Sequence, residues 1–521
     1  MTHPSRVCLH LELALLASIS SAVLRGVDGV PVTVEVHVSS GLPSFTVVGL
    51  PDVSCREARD RVRAAVLSSG LGWPQQRITV NLAPSGLPKA GAGLDLAMAV
   101  GVLVASGALE PDQVRDTAFL GELGLDGSLR PVTGLVPLVD AIGTTTVVVA
   151  PEGAVEAGVL GRHRVRATAS LAGLVGALQG LLPWERGICP PAPATDPADR
   201  PPDLAEVRGQ PLARRALEVA AAGAHHLLMV GPPGAGKTML AQRLAGLLPP
   251  LDPGSALQAT KVHSAAGERL PPGGLLRLAP FRAPHHNASM AALVGGGSAW
   301  LRPGEISLAT GGVLFLDELA EFSPAVLDAL RQPLEEGWIR IARAYGAVQF
   351  PARFLLVAAT NPCACGNAGT GAWCRCSEAA RRRYRRRLSG PLLDRFDLRL
   401  AVHRPDPEAL TAAHAEECSA VVAERVRAVR EVCLHRGVVT NRELTPALLN
   451  RHAVPDRAAR ALLRDALRAQ RITARGVDRV RRVARTLADL DGAHGPGLAD
   501  EHVALAMHLR ADPDLLLGAE E

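Results

Sequence analysis

The stretch GPPGAGKT, residues 231–238, places a lysine and a hydroxyl directly behind a glycine-rich turn. Its spacing is G-x-x-x-x-G-K-[ST], in which backbone N–H groups and a helix N-terminus face a phosphate chain. The apolar run HLLMV precedes it and the helix-prone MLAQRLAGLL follows it, the strand-before, helix-after context that separates a phosphate loop from an ordinary glycine turn. Gly231, Pro232, Pro233, Gly234, Ala235, Gly236, Lys237, Thr238 and Met239 are the expected ATP-binding set. Lys237 is expected to reach the β and γ phosphates, and the Thr238 hydroxyl to hold Mg²⁺. Seventy-nine residues beyond Thr238, the apolar strand of GGVLFLDE ends in Asp317 and Glu318. Asp317 suits Mg²⁺ coordination, and Glu318 suits polarising the water that attacks the γ phosphate; alone, the pair also fits a solvated strand end. A further buried strand, FLLVAATNP, ends in Asn361, a polar group suited to the same water or the γ phosphate.

A different chemistry is written at residues 363–376. Cys363, Cys365, Cys374 and Cys376 form two C-x-C pairs joined by a loop with Gly366, Gly369 and Gly371. Four thiolates can complete a tetrahedral site for structural Zn²⁺ with no open position for catalysis. Reduced buried thiols or a disulfide are the alternatives. Two arginine triplets follow, and residues 375–399 hold nine arginines against three acids. The triplets read as a helix that meets nucleic-acid phosphate, pairs with acids of an adjacent subunit, or is a solvated face.

The elements that must position these groups follow from composition and pattern. A chain of 521 residues exceeds one core and implies two or three domains. Apolar residues make up 47% and aromatics 3%, so the cores are built from Ala, Leu and Val, and stacking platforms for bases are scarce. A net charge of +5 says little about partners at this length. Nine cysteines, clustered only at the quartet, do not make a disulfide scaffold, and a reducing cytoplasm is the simplest setting. LALLASISSAVL resembles a signal-peptide core, but Glu12 interrupts its approach and the alternation Val32, Val34, Val36, Val38 soon follows, so it reads as entry to a folded domain. No stretch approaches the roughly 18 apolar residues of a membrane span, and no membrane partner is expected.

Seven prolines in residues 183–202 mark an extended linker. Before it, strands such as VTVEVHV and ITVNL alternate with the helical CREARDRVRAAVLSS, an α+β pattern. After it the pattern is α/β, turning helical near residue 408. The expected organisation is therefore multidomain α/β: residues 1–182, a linker at 183–203, an α/β core at 204–400 that carries the cysteine insertion at 363–376, and a helical domain at 401–521.

GPPGAGKT, FRAPHHNASMAALVGGG, RPGEISLATGGVLFLDELAEF, LRQPLEEG, AATNPCACG and RLSGPLLDRFDL together resemble the AAA+ ATPases, in the branch shared by magnesium-chelatase motor subunits and the ComM/YifB proteins. GLPSFTVVGLPD and NLAPSGLPKAGAGLDLAMAVG are similar to the Lon-protease-like N-terminal domain of the ComM/YifB group, which chelatase motor subunits lack. The resemblance implies a Lon-like first domain, an AAA+ P-loop core and a helical C-terminal lid. It makes Asn361 the sensor-1 residue, Arg395 an arginine finger that enters a neighbouring subunit's site, and Arg475 the sensor-2 arginine. Read without it, Arg395 is a salt-bridge partner of Asp394 or Asp397, and Arg475 one lid arginine among many. Implied too are a homohexameric motor that hydrolyses ATP, branch migration of single-stranded or branched DNA in recombination or natural transformation, and recombination proteins as partners. A protein-remodelling, chelatase-like ATPase is the alternative, and an ATP-dependent protease a second rival.

In the Lon-like stretches the serine position is Gly93 and the lysine position Val136, so neither reacting atom of a Ser/Lys pair is present; a displaced pair of Ser85 and Lys89 is the remaining arrangement. RAPHH with Gly295–Gly297 resembles a pore-facing insertion of this branch. His285 and His286 there suit hydrogen bonding or polymer contact better than one metal ion. WIRIARAYGAVQF reads as a hairpin turning at Tyr345 and Gly346, with Arg340 and Arg343 near its tip, as phosphate contacts or edge-strand charges.

Overall fold

The computed structural model describes residues 16–89, 91–187, 201–297, 301–343, 346–368, 374–408, 416–512 and 516. Glu12, most of the proline-rich linker (188–200), Tyr345, Gly369 and Gly371 lie outside the described residues.

Alternating side chains build the first sheet. In β1 (Leu16–Arg25) and β2 (Asp28–Ser39), an antiparallel pair, Val32, Val34, Val36 and Val38 are buried while the residues between them are not, as a period of two requires when one face is covered. Strands β3 (Ser44–Val48), β4 (Arg77–Ala83), β5 (Thr117–Phe119), β6 (Thr146–Val149) and β7 (Arg164–Ala167) complete a mixed sheet of order β3-β4-β2-β1-β5-β6-β7. Against it pack α1 (Val53–Ser68), whose first turn is capped by the Asp52 carboxylate accepting the Cys55 N–H at 2.7 Å, and α2 (Asp95–Ala105), buried along its whole length.

The second sheet reads differently because both of its faces are covered. β8 (Leu227–Val230), β10 (Val313–Leu316) and β13 (Leu355–Thr360) are buried at every residue, the unbroken apolar run expected of parallel strands between helices. With β9 (Phe281–Arg282) and β14 (Leu398–Ala401) they form an all-parallel sheet of order β9-β10-β13-β8-β14. β11 (Trp338–Arg343) and β12 (Gly346–Pro351) form a separate antiparallel hairpin in which Arg343 faces Gly346. Helices α4 (Pro211–Gly223), α5 (Lys237–Leu244), α6 (Pro253–Ala266) and α7 (Glu378–Arg387) surround the second sheet. α8 (Ser419–His435), α9 (Pro446–His452), α10 (Arg457–Arg468), α11 (Ala474–Leu490) and α12 (Asp500–His508) follow, and their apolar faces share one core with β8, β13 and β14.

The two sheets are joined by direct contacts. Val27, at the β1–β2 turn, is buried in the same cluster as Ile339, Ile341 and Phe350 of the β11–β12 hairpin. The Val136 N–H, on α3 (Leu135–Asp140), donates to Ser264 Oγ of α6 at 3.2 Å, and Lys261 of α6 pairs with Asp140.

Among the late helices, the Asp489 carboxylate accepts from both terminal nitrogens of Arg436 at 2.5 and 2.6 Å, from Arg485 at 3.0 Å and from Asn441 Nδ2 at 2.8 Å. Arg485 and Asp489 are buried. Burial pushes the Asp489 carboxyl up, but the Arg436 hydrogen bonds and the Arg485 charge outweigh it and hold it below its ordinary range. Because it titrates lower folded than unfolded, its contribution is complete above about pH 4 and is lost as the pH falls further. Asp489→Asn strands two buried guanidinium groups and is expected to cost about 3–5 kcal/mol at neutral pH. Urea unfolding at pH 7 and at pH 3 checks this: the deficit should shrink at the lower pH, and an equal deficit at both contradicts the charge argument.

Candidate functional site

Register brings the chemistry to one end of the second sheet. Val230 pairs with Thr360, and Leu316 with Ala358, so Gly231, Asn361, Asp317 and Glu318 emerge together beyond the carboxyl ends of β8, β13 and β10. This is where an open parallel sheet receives ligands. Residues 231–236 turn from β8 into α5 through Gly234 and Gly236, at φ +77° and +85°, a conformation that side chains with a Cβ rarely adopt. Gln210, on which the sequence carries no motif, braces the loop by donating to Ala235 O at 2.8 Å.

Thr238 Oγ1 donates to Asp317 Oδ2 at 2.6 Å, which sets two hard oxygen donors side by side at the loop. Such a pair suits Mg²⁺. Lys237 Nζ donates to Gly231 O at 2.7 Å, Pro232 O at 3.0 Å and Asn361 Oδ1 at 3.2 Å. Burial lowers its pKa against the opposing pull of Asp317 and Glu318. The ammonium is thus held at the mouth of the loop, next to Asn361, with donors that a phosphate oxygen can take over. Met239, half-buried, is the second residue after Lys237 on α5.

Glu318 stands with φ +52°, a left-handed backbone that costs a residue with a Cβ about 1–2 kcal/mol, and its N–H is held by Asp317 Oδ1 at 2.9 Å. Its carboxylate Oε2 lies 2.9 Å from His286 Nδ1. His286 stacks beside His285, with ring centroids 4.1 Å apart, and meets Phe322 edge-on. Of the two imidazoles expected to hydrogen-bond, His286 therefore faces the acid. The sequence held no signal for that contact.

Arg395 and Arg475 lie elsewhere. Asp397 and Leu398 donate their N–H groups to His226 O, at the start of β8, so Arg395 belongs to the amino ends of the strands, opposite the phosphate loop. A strand of four residues separates the two ends by about 13 Å. Arg395 donates to Pro391 O at 2.6 Å and pairs with Glu335, not with Asp394 or Asp397. Those two carboxylates are taken up by Arg442, Arg479 and Arg510. Arg475, exposed near the start of α11, lines the same cavity of about 710 Å³ as Arg395 and Arg479, and no phosphate-loop residue lines it.

The cysteines do converge. All four Sγ atoms lie within 4.8 Å of one another, with Cys363–Cys365, Cys363–Cys374 and Cys365–Cys374 at 3.4, 3.7 and 3.6 Å. Thiolates about 2.3 Å from a tetrahedral ion lie about 3.8 Å apart, so the set fits Zn²⁺. The Asn367 backbone N–H draws the Cys365 thiol down to about 6, and burial pushes Cys376 up to about 12. Behind the cluster, the first turn of α7 is capped by Ser377, and Tyr384 is buried with its hydroxyl 3.1 Å from Thr360 Oγ1. The arginine triplets are partly neutralised: Arg382 pairs with Glu378 and Arg387 with Glu321, while Arg383 and Arg386 are exposed.

In the first domain Lys89 is buried and donates to Pro84 O, whereas Ser85 is exposed. Among the described residues no hydrogen bond joins the two. Gly93 has Val132 as the nearest neighbour of a would-be Cβ, and Val136 is turned into the contact with Ser264. The β11–β12 hairpin carries Arg340 exposed, and Gly295–Gly296 pairs with Arg302–Pro303. No described helix is long and apolar enough to cross a membrane.

Comparison with known proteins gives three family matches: residues 203–410 to magnesium chelatase, subunit ChlI; residues 34–153 to subunit ChlI of Mg-chelatase; and residues 416–510 to the C-terminal part of that subunit. Competence protein ComM of Haemophilus influenzae is 43% identical over 506 residues, 96% of this chain and 98% of that protein. The uncharacterized protein YifB of Escherichia coli is 41% identical over 511 residues, 97% and 99% of the two chains. An uncharacterized protein of Mycobacterium tuberculosis is 48% identical over 501 residues, 94% and 97%.

Proposed function

Since this chain belongs to the magnesium-chelatase-like family that includes the ComM and YifB proteins, we propose that it is an ATP-hydrolysing AAA+ motor that assembles into a hexameric ring and drives branch migration of DNA. The observation that carries the reading is the 2.6 Å hydrogen bond between Thr238 and Asp317, which joins two Mg²⁺ ligands 79 residues apart beside Lys237 and Asn361.

In this reading Lys237 leaves the loop carbonyls for phosphate oxygens, and Thr238 and Asp317 hold Mg²⁺, which offsets charge on the transferred phosphoryl group. Asn361 orients the attacking water, and Glu318 takes its proton. Arg395 and Arg475, at the far end of the sheet from their own phosphate loop, serve the nucleotide of a neighbouring subunit. Residues 1–182 act as a Lon-like collar without a catalytic dyad, 183–203 as a linker, 204–400 as the motor and 401–521 as its lid. The cysteine quartet holds structural Zn²⁺, and the protein works in the cytoplasm. A relative with a competence name favours DNA as the substrate, as do the exposed Arg383 and Arg386 on α7.

The test is unwinding of a three-stranded DNA junction by the native protein and by Glu318→Gln. The native protein should unwind it with ATP. Glu318→Gln should keep ATP bound, lower hydrolysis by about 10²-fold or more, and unwind nothing. Hydrolysis without unwinding or salt-sensitive DNA binding would favour the protein-remodelling reading instead.

A further inference from the structure

We propose that Arg510, just past α12, is a positioning residue that holds the turn carrying Arg395 in shape for the neighbouring subunit's nucleotide. The inference rests on Arg395 acting in a neighbour's site, as proposed above, and goes beyond it by assigning the group that fixes its backbone.

Arg395 sits in the turn between the short helix Gly390–Leu393 and β14. Its own contacts hold it weakly: one is to Pro391 O in the preceding helix, and the other is an ion pair with the exposed Glu335. The turn itself is held from the far end of the chain. Arg510 Nη1 donates to Phe396 O and, at 3.1 Å, to Asp397 O, while its Nη2 donates to Asp394 Oδ1 at 3.3 Å. One planar fork thus meets acceptors on both sides of Arg395, which the single nitrogen of a lysine cannot span. Arg510 is buried, and a guanidinium is tolerated there only where acceptors meet it. The backbone reinforces the side chain. Arg399 N–H donates to Leu509 O at 2.7 Å, and Ala511 N–H to Arg399 O at 3.1 Å. This parallel bridge lays residues 509–511 along β14, the outer strand beside β8, and so puts Arg510 next to the turn. From α11, Arg479 donates to Asp394 O, and Arg475 lies one helical turn earlier on the same face. Arg395 and Arg475, which line one cavity, are therefore carried by a single braced unit that includes the last turn of the helical segment.

Steady-state ATP hydrolysis by the native protein, Arg510→Ala, Arg510→Lys, Arg395→Ala and the double variant Arg395→Ala/Arg510→Ala, each full-length, decides the matter. Arg510→Ala should lower kcat by about 10²-fold, the scale of a misplacement of about 1 Å, with KM for ATP within about twofold. Arg510→Lys keeps a charge beside Asp394 but not the fork, and should lose about tenfold; it carries the same comparison if the alanine variant does not fold. The double variant should be no slower than Arg395→Ala, because a residue that acts only through Arg395 has no effect once Arg395 is gone. Mixed with Glu318→Gln, Arg510→Ala should regain hydrolysis. Mixed with Arg395→Ala it should not, because both fail on the same side of the subunit interface. Native kcat in both Arg510 variants, beside a slow Arg395→Ala, overturns the brace. So does a double variant slower than Arg395→Ala, or recovery in the mixture with Arg395→Ala, which would assign Arg510 to its own subunit's site. If Arg395→Ala itself hydrolyses ATP at the native rate, the role of Arg395 is what fails, and the brace with it.

Discussion

Arg395→Ala should leave ATP affinity within about twofold of the native value while lowering kcat by about 10³-fold or more, a loss of about 4 kcal/mol or more in transition-state stabilisation. Affinity survives because Arg395 is on the opposite end of the sheet from Lys237 and touches nothing in its own phosphate loop. In the proposed reading the rate should collapse because the charge that develops on the transferred phosphoryl group would lose a guanidinium supplied by the next subunit. Mixing gives the sharper result. An Arg395→Ala subunit keeps an intact Thr238, Asp317 and Glu318, and a Glu318→Gln subunit keeps an intact Arg395. Each preparation alone should be nearly inactive, but mixed rings contain interfaces with every group in place, and hydrolysis should return. The ion pair between Arg395 and Glu335 adds a condition: a neighbour must supply phosphate that competes with an exposed carboxylate, which is a weak hold. Activity should rise steeply with protein concentration as rings form. An Arg395→Ala protein that hydrolyses at the native rate, or a mixture no more active than its parts, would remove the shared site.

The contrast between Lys237 and His286 explains what could be read from the chain. The phosphate loop is a local code: glycines at positive φ, a lysine and a threonine at fixed offsets, an apolar strand before and a helix after, all within about a dozen residues. Asp317 and Asn361 were legible because each closes a fully buried apolar strand, and parallel strands present their carboxyl ends together. The alternation of Val32 to Val38 likewise marked a strand with one covered face. The pairing order of that first sheet is not in the pattern, since any strand with the same alternation fits any neighbour. His286 was out of reach because β9, the strand that delivers it beside Glu318, is two residues long and carries no periodicity. Glu335 is separated from Arg395 by 60 residues and a hairpin, and the shared cavity of Arg395 and Arg475 depends on how α11 packs. Gln210 sits in no motif at all.

Stripping metal from the cysteine cluster should weaken nucleotide binding as well as destabilise the loop that carries it. The coupling is steric. Gly366, at φ +82°, lies so close to the phosphate loop that an added Cβ would meet Pro233 Cδ at 2.5 Å, and Cys363 follows Asn361, the partner of Lys237, by two residues. The segment between the cysteines therefore meets the loop at Pro233, and Gln210 holds the same loop at Ala235. Structural zinc contributes about 10–16 kcal/mol of apparent binding free energy at neutral pH, more than any single contact in this region, so four unliganded thiols cannot hold the turn in the same shape. Metal analysis should find about one zinc per chain in protein washed with a weak chelator. Cys374→Ser should lose the metal, lower the melting temperature, and weaken ATP binding by about tenfold, whereas Cys433→Ser, a buried thiol remote from the cluster, should leave metal content and ATP affinity unchanged. Adding zinc back after mild chelation should restore ATP affinity in the native protein and not in Cys374→Ser. If the stripped protein binds ATP as tightly as the loaded one, then Gly366 merely rests against Pro233, and the cluster is a staple without a hand on the nucleotide.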